Sequence, residues 1–226
     1  MSEPPKPPTT PKAVATRARI RDAAFRLLAE KGYEGTTMRE IADTAQTSLG
    51  LTYRYFPSKD AIILELYGQF QGDLAHIVAD LPPTTIAERF FTAMVKLLEM
   101  MAPYRATLGG LFSVSLNPRS GAGVFGESVA QVRHEARAVF SDLVRGARDA
   151  PKDAPMRDDL ATLLYGMQLA MVLFWLQDHA ADHARTTALL TWVRDALAAA
   201  RPALGLPPVR KMLLRLAGIV GPLLGA

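Results

Sequence analysis

The chain has 226 residues, enough to bury a real core in one large domain or in a small domain followed by a larger one. Hydrophobic residues make up 49% and charged residues 21%, and the absence of cysteine excludes disulfides, thiolate nucleophiles and Cys-based zinc or iron–sulfur sites, which fits a cytoplasmic setting. The net charge of +4 is unevenly spread: residues 1–60 carry ten basic and seven acidic side chains, residues 61–200 twelve and fifteen, and residues 201–226 four and none, so the basic excess at the ends is compatible with nucleic acid.

Residues 1–13 are proline-rich and basic with almost nothing apolar, so they read as a disordered arm, and nothing there has the apolar run of an export signal. Ile20, Ala23, Ala24, Leu27 and Leu28 then mark one face of a helix over about Val14–Lys31, stopped by Gly32. Thr37 with Glu40 three residues on forms a capping-box signature for a short helix ending near Ala45. Gln46 and Thr47 make a tight connection, Ser48 caps a third helix running to about Tyr55, and Pro57 interrupts it. Ser58 caps a longer fourth helix, with Ile63, Leu66, Tyr67, Phe70, Leu74, Ile77, Val78 and Leu81 at spacings of three and four. Pro82-Pro83 ends it, and further helices are predicted over Thr85–Met101, Tyr104–Leu116, Gly123–Ala150, Met156–His179, Thr186–Ala200 and Pro208–Leu216. No alternating strand pattern and no internal repeat is present, so the expected class is all-α. The apolar stretch Leu160–Leu176 falls short of the roughly 20 residues a membrane span requires, and Asp158, Asp159 and Asp178 flank it, so it reads as a core helix rather than a membrane helix.

Two short helices joined by a tight turn behind a longer supporting helix are the parts of a helix-turn-helix, whose second helix can lie in the major groove. The stretch from Thr37 to Lys59, TMREIADTAQTSLGLTYRYFPSK, with Ala23-Ala24, Leu27 and Glu30-Lys-Gly-Tyr33 before it, resembles the DNA-binding motif of the tetracycline-repressor (TetR) family. The resemblance is dense over about residues 17–67 and architectural beyond them. Two positions depart from the pattern: Gln46 stands where the family often has glycine, and Thr52 where a larger apolar residue is frequent.

The resemblance implies a helix-turn-helix DNA-binding domain over residues 14–60 and a larger helical ligand-binding and dimerisation domain over residues 61–226. Thr37 and the amides beside it are candidates for a phosphate, and Arg39 for a guanine edge or a phosphate. Ser48, Leu49 and Gly50 open the recognition helix, where a hydroxyl, an apolar group for a thymine methyl and a bare backbone allow close approach to bases. Tyr53 and Tyr55 resemble the family's phosphate-contacting aromatics, and Lys59 stands at the start of the next helix, where phosphate contact is usual; Phe56 reads as core.

No catalytic constellation stands out. The pair His179 and His183 has ligand spacing, but it lies at an expected helix end where polar residues and histidine are favoured anyway, so no metal and no cofactor are expected. Phe90, Met94, Met101, Phe112, Met167, Met171 and Trp175 read as core residues that, on the resemblance, also line an inducer cavity. Few buried charges are expected there, which favours an apolar or aromatic inducer. The basic amphipathic tail from Val209 is expected to pack on its own domain. The sequence therefore reads as a cytoplasmic, ligand-responsive regulator, a repressor, binding a near-palindromic operator as a homodimer through its last long helices. A DNA-binding scaffold without a ligand, or an enzyme fused to a DNA-binding domain, are the rival readings.

Overall fold

The computed structural model describes residues 10–106, 108–109 and 130–224. Among these residues all regular structure is helical, in the order α1 (Pro11–Lys31), α2 (Met38–Thr44), α3 (Leu49–Tyr55), α4 (Lys59–Asp80), α5 (Ile86–Met101), α6 (Ala130–Arg145), α7 (Ala154–Gln177), α8 (Ala184–Ala200) and α9 (Pro207–Leu224). Phe112, residues 110–116 of the helix expected over Tyr104–Leu116 and the start of the next at Gly123 lie outside the described residues.

Most helices begin where a side-chain oxygen is available for an otherwise orphaned amide. Thr10, Thr37, Ser48, Ser58, Thr85 and Asp153 each accept a hydrogen bond from the backbone three residues on. Helix α1 starts earlier than its apolar periodicity indicated, because Thr10 caps it and Pro11 suits its first turn. Gly32 ends it at φ 72°, a left-handed backbone open to glycine at little steric cost. Helix α3 ends at Phe56, which is extended (φ −136°, ψ 107°) as the residue before Pro57 must be.

The expected apolar face of α1, Ile20 to Leu28, is buried against α2 and α4. In the larger domain α7 packs between α6 and α9, α4 lies on α6 and α5, and α8 covers α5. Helix α7 is long and apolar enough to cross a membrane by length and composition, yet 61% of its most apolar stretch is buried inside the protein. Phe90, Phe140 and Tyr165 form a continuous aromatic stack through this core, with ring centroids 6.2 and 6.0 Å apart. Tyr104 wedges between Phe25 of α1 and Phe70 of α4, at 5.9 and 5.6 Å, and joins the two domains.

Helix α4 serves both domains. At its C-terminal end the buried Arg89 of α5 donates to the carbonyls of Val78, Leu81, Pro82 and Leu143, and so ties the ends of α4 and α6 to α5. Gly146 makes room for that guanidinium, since a Cβ there would stand 2.6 Å from its terminal nitrogen.

Helix α9 runs on to Leu224, beyond the expected stop at Leu216. Ala217, Gly221 and Leu224 are buried, Leu224 reaches Gly166 of α7, and packing there outweighs the weak propensity of Gly221 and Pro222. An Arg210–Asp153 ion pair at 2.7 Å fixes its other end. Its outer face leaves Met212, Leu216, Ile219 and Leu223 exposed, while α7 exposes Phe174 and α8 exposes Trp192 at 65%.

Candidate nucleic-acid interface

The turn between α2 and α3 is closed by backbone bonds from Gln46 to Asp43 and from Thr47 to Ala42, at 3.1 and 2.9 Å. Gln46 takes φ 52°, so this non-glycine residue carries the left-handed conformation that the family's glycine would hold more cheaply. Thr52, on the buried face of α3, compensates for its small size with hydrogen bonds. Its hydroxyl lies 2.8 Å from that of Thr47 and 3.1 Å from the Ser48 carbonyl. Ser48 caps α3 through Leu51 N at 3.2 Å.

This frame turns the first turn of α3 outward. Ser48 and Gly50 are exposed, Leu49 is half-buried with its side chain against the core, and Tyr53 is 47% exposed one turn later. Arg39 on α2 and Arg54 on α3 are exposed, and neither makes an ion pair among the described residues. Arg54 was not singled out in the sequence; its place beside Tyr53 and Tyr55 on a seven-residue helix was the available signal.

Two of the expected contacts, Thr37 and Lys59, are already engaged within the protein. The Thr37 hydroxyl accepts from Glu40 N at 3.2 Å and donates to the Glu40 carboxylate at 2.9 Å. That carboxylate also receives the Thr37 amide and Lys31 Nζ, at 2.9 and 2.8 Å. The Lys31 and Thr37 hydrogen bonds hold the Glu40 acid down at about 2. Lys59 Nζ donates to the carbonyls of Tyr33 and Thr36, at 2.5 and 2.7 Å, and lies over the Tyr33 ring. Tyr55 is half-buried, with its carbonyl accepting from Arg17 at 3.3 Å.

These bonds make the motif and the first turns of α4 one piece. Lys59 and Asp60 hold the α1–α2 connection, Asp60 by accepting the Tyr33 hydroxyl at 2.6 Å. Arg17 pairs with Glu65 of α4 and stacks 4.5 Å over Phe56. Arg17 was missed by sequence reasoning, because its partners lie 38 and 48 residues away.

In the larger domain Phe90, Met94, Met101, Met171 and Trp175 are buried in the core and Met167 is half-buried. A cavity of about 240 Å³ opens between α5 and α8, walled by Phe91, Val95, Leu98, Trp175, His183 and Leu190. It takes in Trp175 of the expected lining. His183 and His179 each turn a ring nitrogen to a backbone carbonyl, of Asp178 and Gln177, and no group of three or more metal-ligating side chains occurs among the described residues.

Residues 20–66 match the model of the bacterial regulatory proteins of the tetR family. The HTH-type transcriptional repressor KstR of Mycobacterium tuberculosis is 42% identical over 53 residues, 24% of either chain. The chain spans about half or less of the length of the curated relatives it matches. Among solved structures, Salmonella enterica GusR superposes with a TM-score of 0.63 at 22% identity, over 84% of this chain and 96% of its own. The TetR-family repressor FadR of Thermus thermophilus, solved with lauroyl-CoA, superposes at 0.56 with 23% identity, over 77% and 93%. These likenesses extend the shared fold over most of both domains, and residues 20–66 match the helix-turn-helix segment that the tetR-family model describes.

Proposed function

We propose that the chain is a ligand-responsive transcriptional repressor that binds a near-palindromic operator as a homodimer in the cytoplasm. The observation that carries this reading is the α2–α3 pair, with the first turn of α3 turned outward and two unpaired arginines beside it. Ser48, Leu49 and Gly50 stand where base edges come within reach, and Arg39 reaches a base or a phosphate. Tyr53 is the exposed aromatic for phosphate, with Tyr55 at the edge. Lys59 has one N–H left for a phosphate after its two carbonyl bonds. A phosphate at Thr37 requires the Glu40 carboxylate to swing aside.

Two-fold operators are read by two-fold proteins. Exposed Phe174 on α7 and Trp192 on α8 support a dimer seam on these helices. Regulation by a small molecule is supported by the repressor relatives, by FadR having been solved with lauroyl-CoA, and by the build of α4. Because α4 is bonded to the DNA-binding motif at one end, a ligand that shifts it against α6 and α7 moves the recognition helix with it. Such a ligand acts only by binding the two arrangements with different affinity. Phe90, Met94, Met101, Met167, Met171 and Trp175 are the apolar side chains that would part to admit it.

Footprinting on the intergenic DNA adjoining the coding sequence tests the reading. The wild type is expected to protect a near-palindrome, and the double variant Leu49→Ala, Tyr53→Ala to lose the protection. No protected site, or protection unchanged in the variant, overturns it.

A further inference from the structure

The larger domain contains a polar cluster that an apolar inducer pocket would not need. Tyr67 and Gln71 lie one turn apart on α4, Arg133 and Arg137 one turn apart on α6, and Thr162, Tyr165 and Gln168 follow at three-residue steps on α7. The three helix faces meet. Tyr67 Oη lies 3.1 Å from Tyr165 Oη, and Arg137 reaches Thr162 Oγ1 at 3.4 Å. Gln71, Arg133, Thr162, Tyr165 and Gln168 are all buried. Burial pushes the Tyr67 phenol well above its ordinary range, with the guanidinium of Arg133 opposing the shift, and burial raises Tyr165 as well.

The cluster is incompletely satisfied. The side-chain oxygens of Gln71 and Gln168, each nine-tenths buried or more, and Nε of Arg137 have no hydrogen-bond partner among the described residues. Arg137's bond to Thr162 is long, and buried polar groups are normally paired by protein or water. Either glutamine amide can rotate by half a turn and present its N–H₂ where the oxygen now stands. The cluster thus offers guanidinium, phenol and amide donors from three helices, beside the aromatic stack of Phe140 and Phe90. Convergent donors around a cation are the chemistry that recognises a carboxylate.

We infer that Tyr67, Gln71, Arg137, Tyr165 and Gln168 form the head-group half of a small-molecule site that takes an organic anion, a carboxylate carried on an apolar body. The inference deepens the ligand-responsive reading and rests on it for its consequence at the operator. It replaces the purely apolar or aromatic inducer expected from the sequence with an amphipathic one. Two of the donors belong to α4, so an anion drawn between α4, α6 and α7 acts directly on the helix that carries the DNA-binding motif.

Calorimetric titration of the purified full chain, without DNA, tests it with octanoate, decanoate and 4-phenylbutyrate, each beside the alcohol and the amine of the same skeleton. At least one carboxylate is expected to bind at least ten-fold tighter than its alcohol, and the amines to bind more weakly still. Arg137→Met should abolish that ten-fold preference while leaving alcohol binding unchanged, and Arg137→Lys should restore part of it. Gln168→Leu guards against a folding defect: it removes an orphaned oxygen, so the melting temperature should hold or rise while carboxylate binding weakens about ten-fold. Equal binding of carboxylate and alcohol, binding untouched by Arg137→Met, or no binding by any probe overturns the inference. Operator release is read separately by fluorescence anisotropy. A carboxylate that binds with the expected preference yet releases no DNA leaves the site standing and removes the ligand-responsive reading.

Discussion

Thr52 shows how single residues hold the recognition helix. Where a bulkier apolar side chain would fill the space, its buried hydroxyl bonds Thr47 and Ser48 instead. Thr52→Val keeps the shape and removes both bonds, so it should cost about 1–2 kcal/mol, seen as a melting temperature lower by about 2–8 °C. Glu40 makes a pH-dependent contribution. Its hydrogen bonds to Lys31 and Thr37 hold the folded acid at about 2, below its ordinary 4.5, so the stabilisation is full above 4.5 and is lost as pH falls towards 2. Glu40→Gln should therefore lower the melting temperature at pH 7, and the gap to wild type should close progressively between about pH 5 and pH 2. At the DNA surface Leu49→Ala should cost on the order of 1–3 kcal/mol on the preferred sequence alone and leave the salt slope unchanged. Lys59→Ala should weaken operator and random DNA by similar factors and flatten the salt dependence by about one counterion per site. It should also lower the melting temperature, because the Tyr33 and Thr36 carbonyls lose their donor. Anisotropy on both DNAs at several salt concentrations separates these effects, and the reverse pattern would move the base-reading helix elsewhere.

At the scale of elements, α4 is held at both ends and polar in its middle. Its first turns are bonded to the motif by Lys59, Asp60 and Glu65, and its last carbonyls are gathered by Arg89. Arg89→Met would strand several buried carbonyls at once and should destabilise the protein by at least about 3 kcal/mol. Arg89→Lys should recover only part of that, because an ammonium cannot span carbonyls from three segments as a guanidinium does. Thermal denaturation of the two variants measures the difference, and equal melting temperatures for both would refute the clamp. Helix α9 illustrates the opposite balance: Gly218, Gly221 and Pro222 weaken the helix locally, and burial of Ala217, Gly221 and Leu224 on α7 sustains it to its end.

For the whole molecule, most of the exposed large apolar side chains among the described residues lie on the last three helices. Trp192 of α8 and Phe174 of α7 stand exposed, and α9 presents Met212, Leu216, Ile219 and Leu223 at helical spacing. Burying a tryptophan or phenylalanine of this kind is worth several kcal/mol to an interface, and removing it typically costs 2 kcal/mol or more. Trp192→Glu is expected to convert a micromolar dimer to monomer in sedimentation and to weaken operator binding with it. Ile219→Glu is expected to leave the dimer intact. Monomeric wild type would sink the two-fold reading, and dissociation by Ile219→Glu alone would place the seam on α9.

Much of this was written locally and could be read without a structure. The capping residues Thr37, Ser48 and Ser58, the apolar face of α1 and the break at Pro57 all depend on neighbours within four residues, so spacing alone determined them. The left-handed backbone at Gln46 was foreseeable only from the family resemblance, in which glycine often holds that position. What no periodicity carries is which side chains meet across helices. Arg17 on Glu65, Lys59 on the Tyr33 and Thr36 carbonyls, Arg89 on four backbone oxygens and the Tyr67–Tyr165 contact join residues 7 to 98 positions apart. The tertiary fold decided these, because a buried polar group must find partners wherever packing brings them. It also engaged Lys59, read from the sequence as a phosphate contact, in the bonded frame of α4, and it gathered Tyr67, Gln71, Tyr165 and Gln168 in the larger domain.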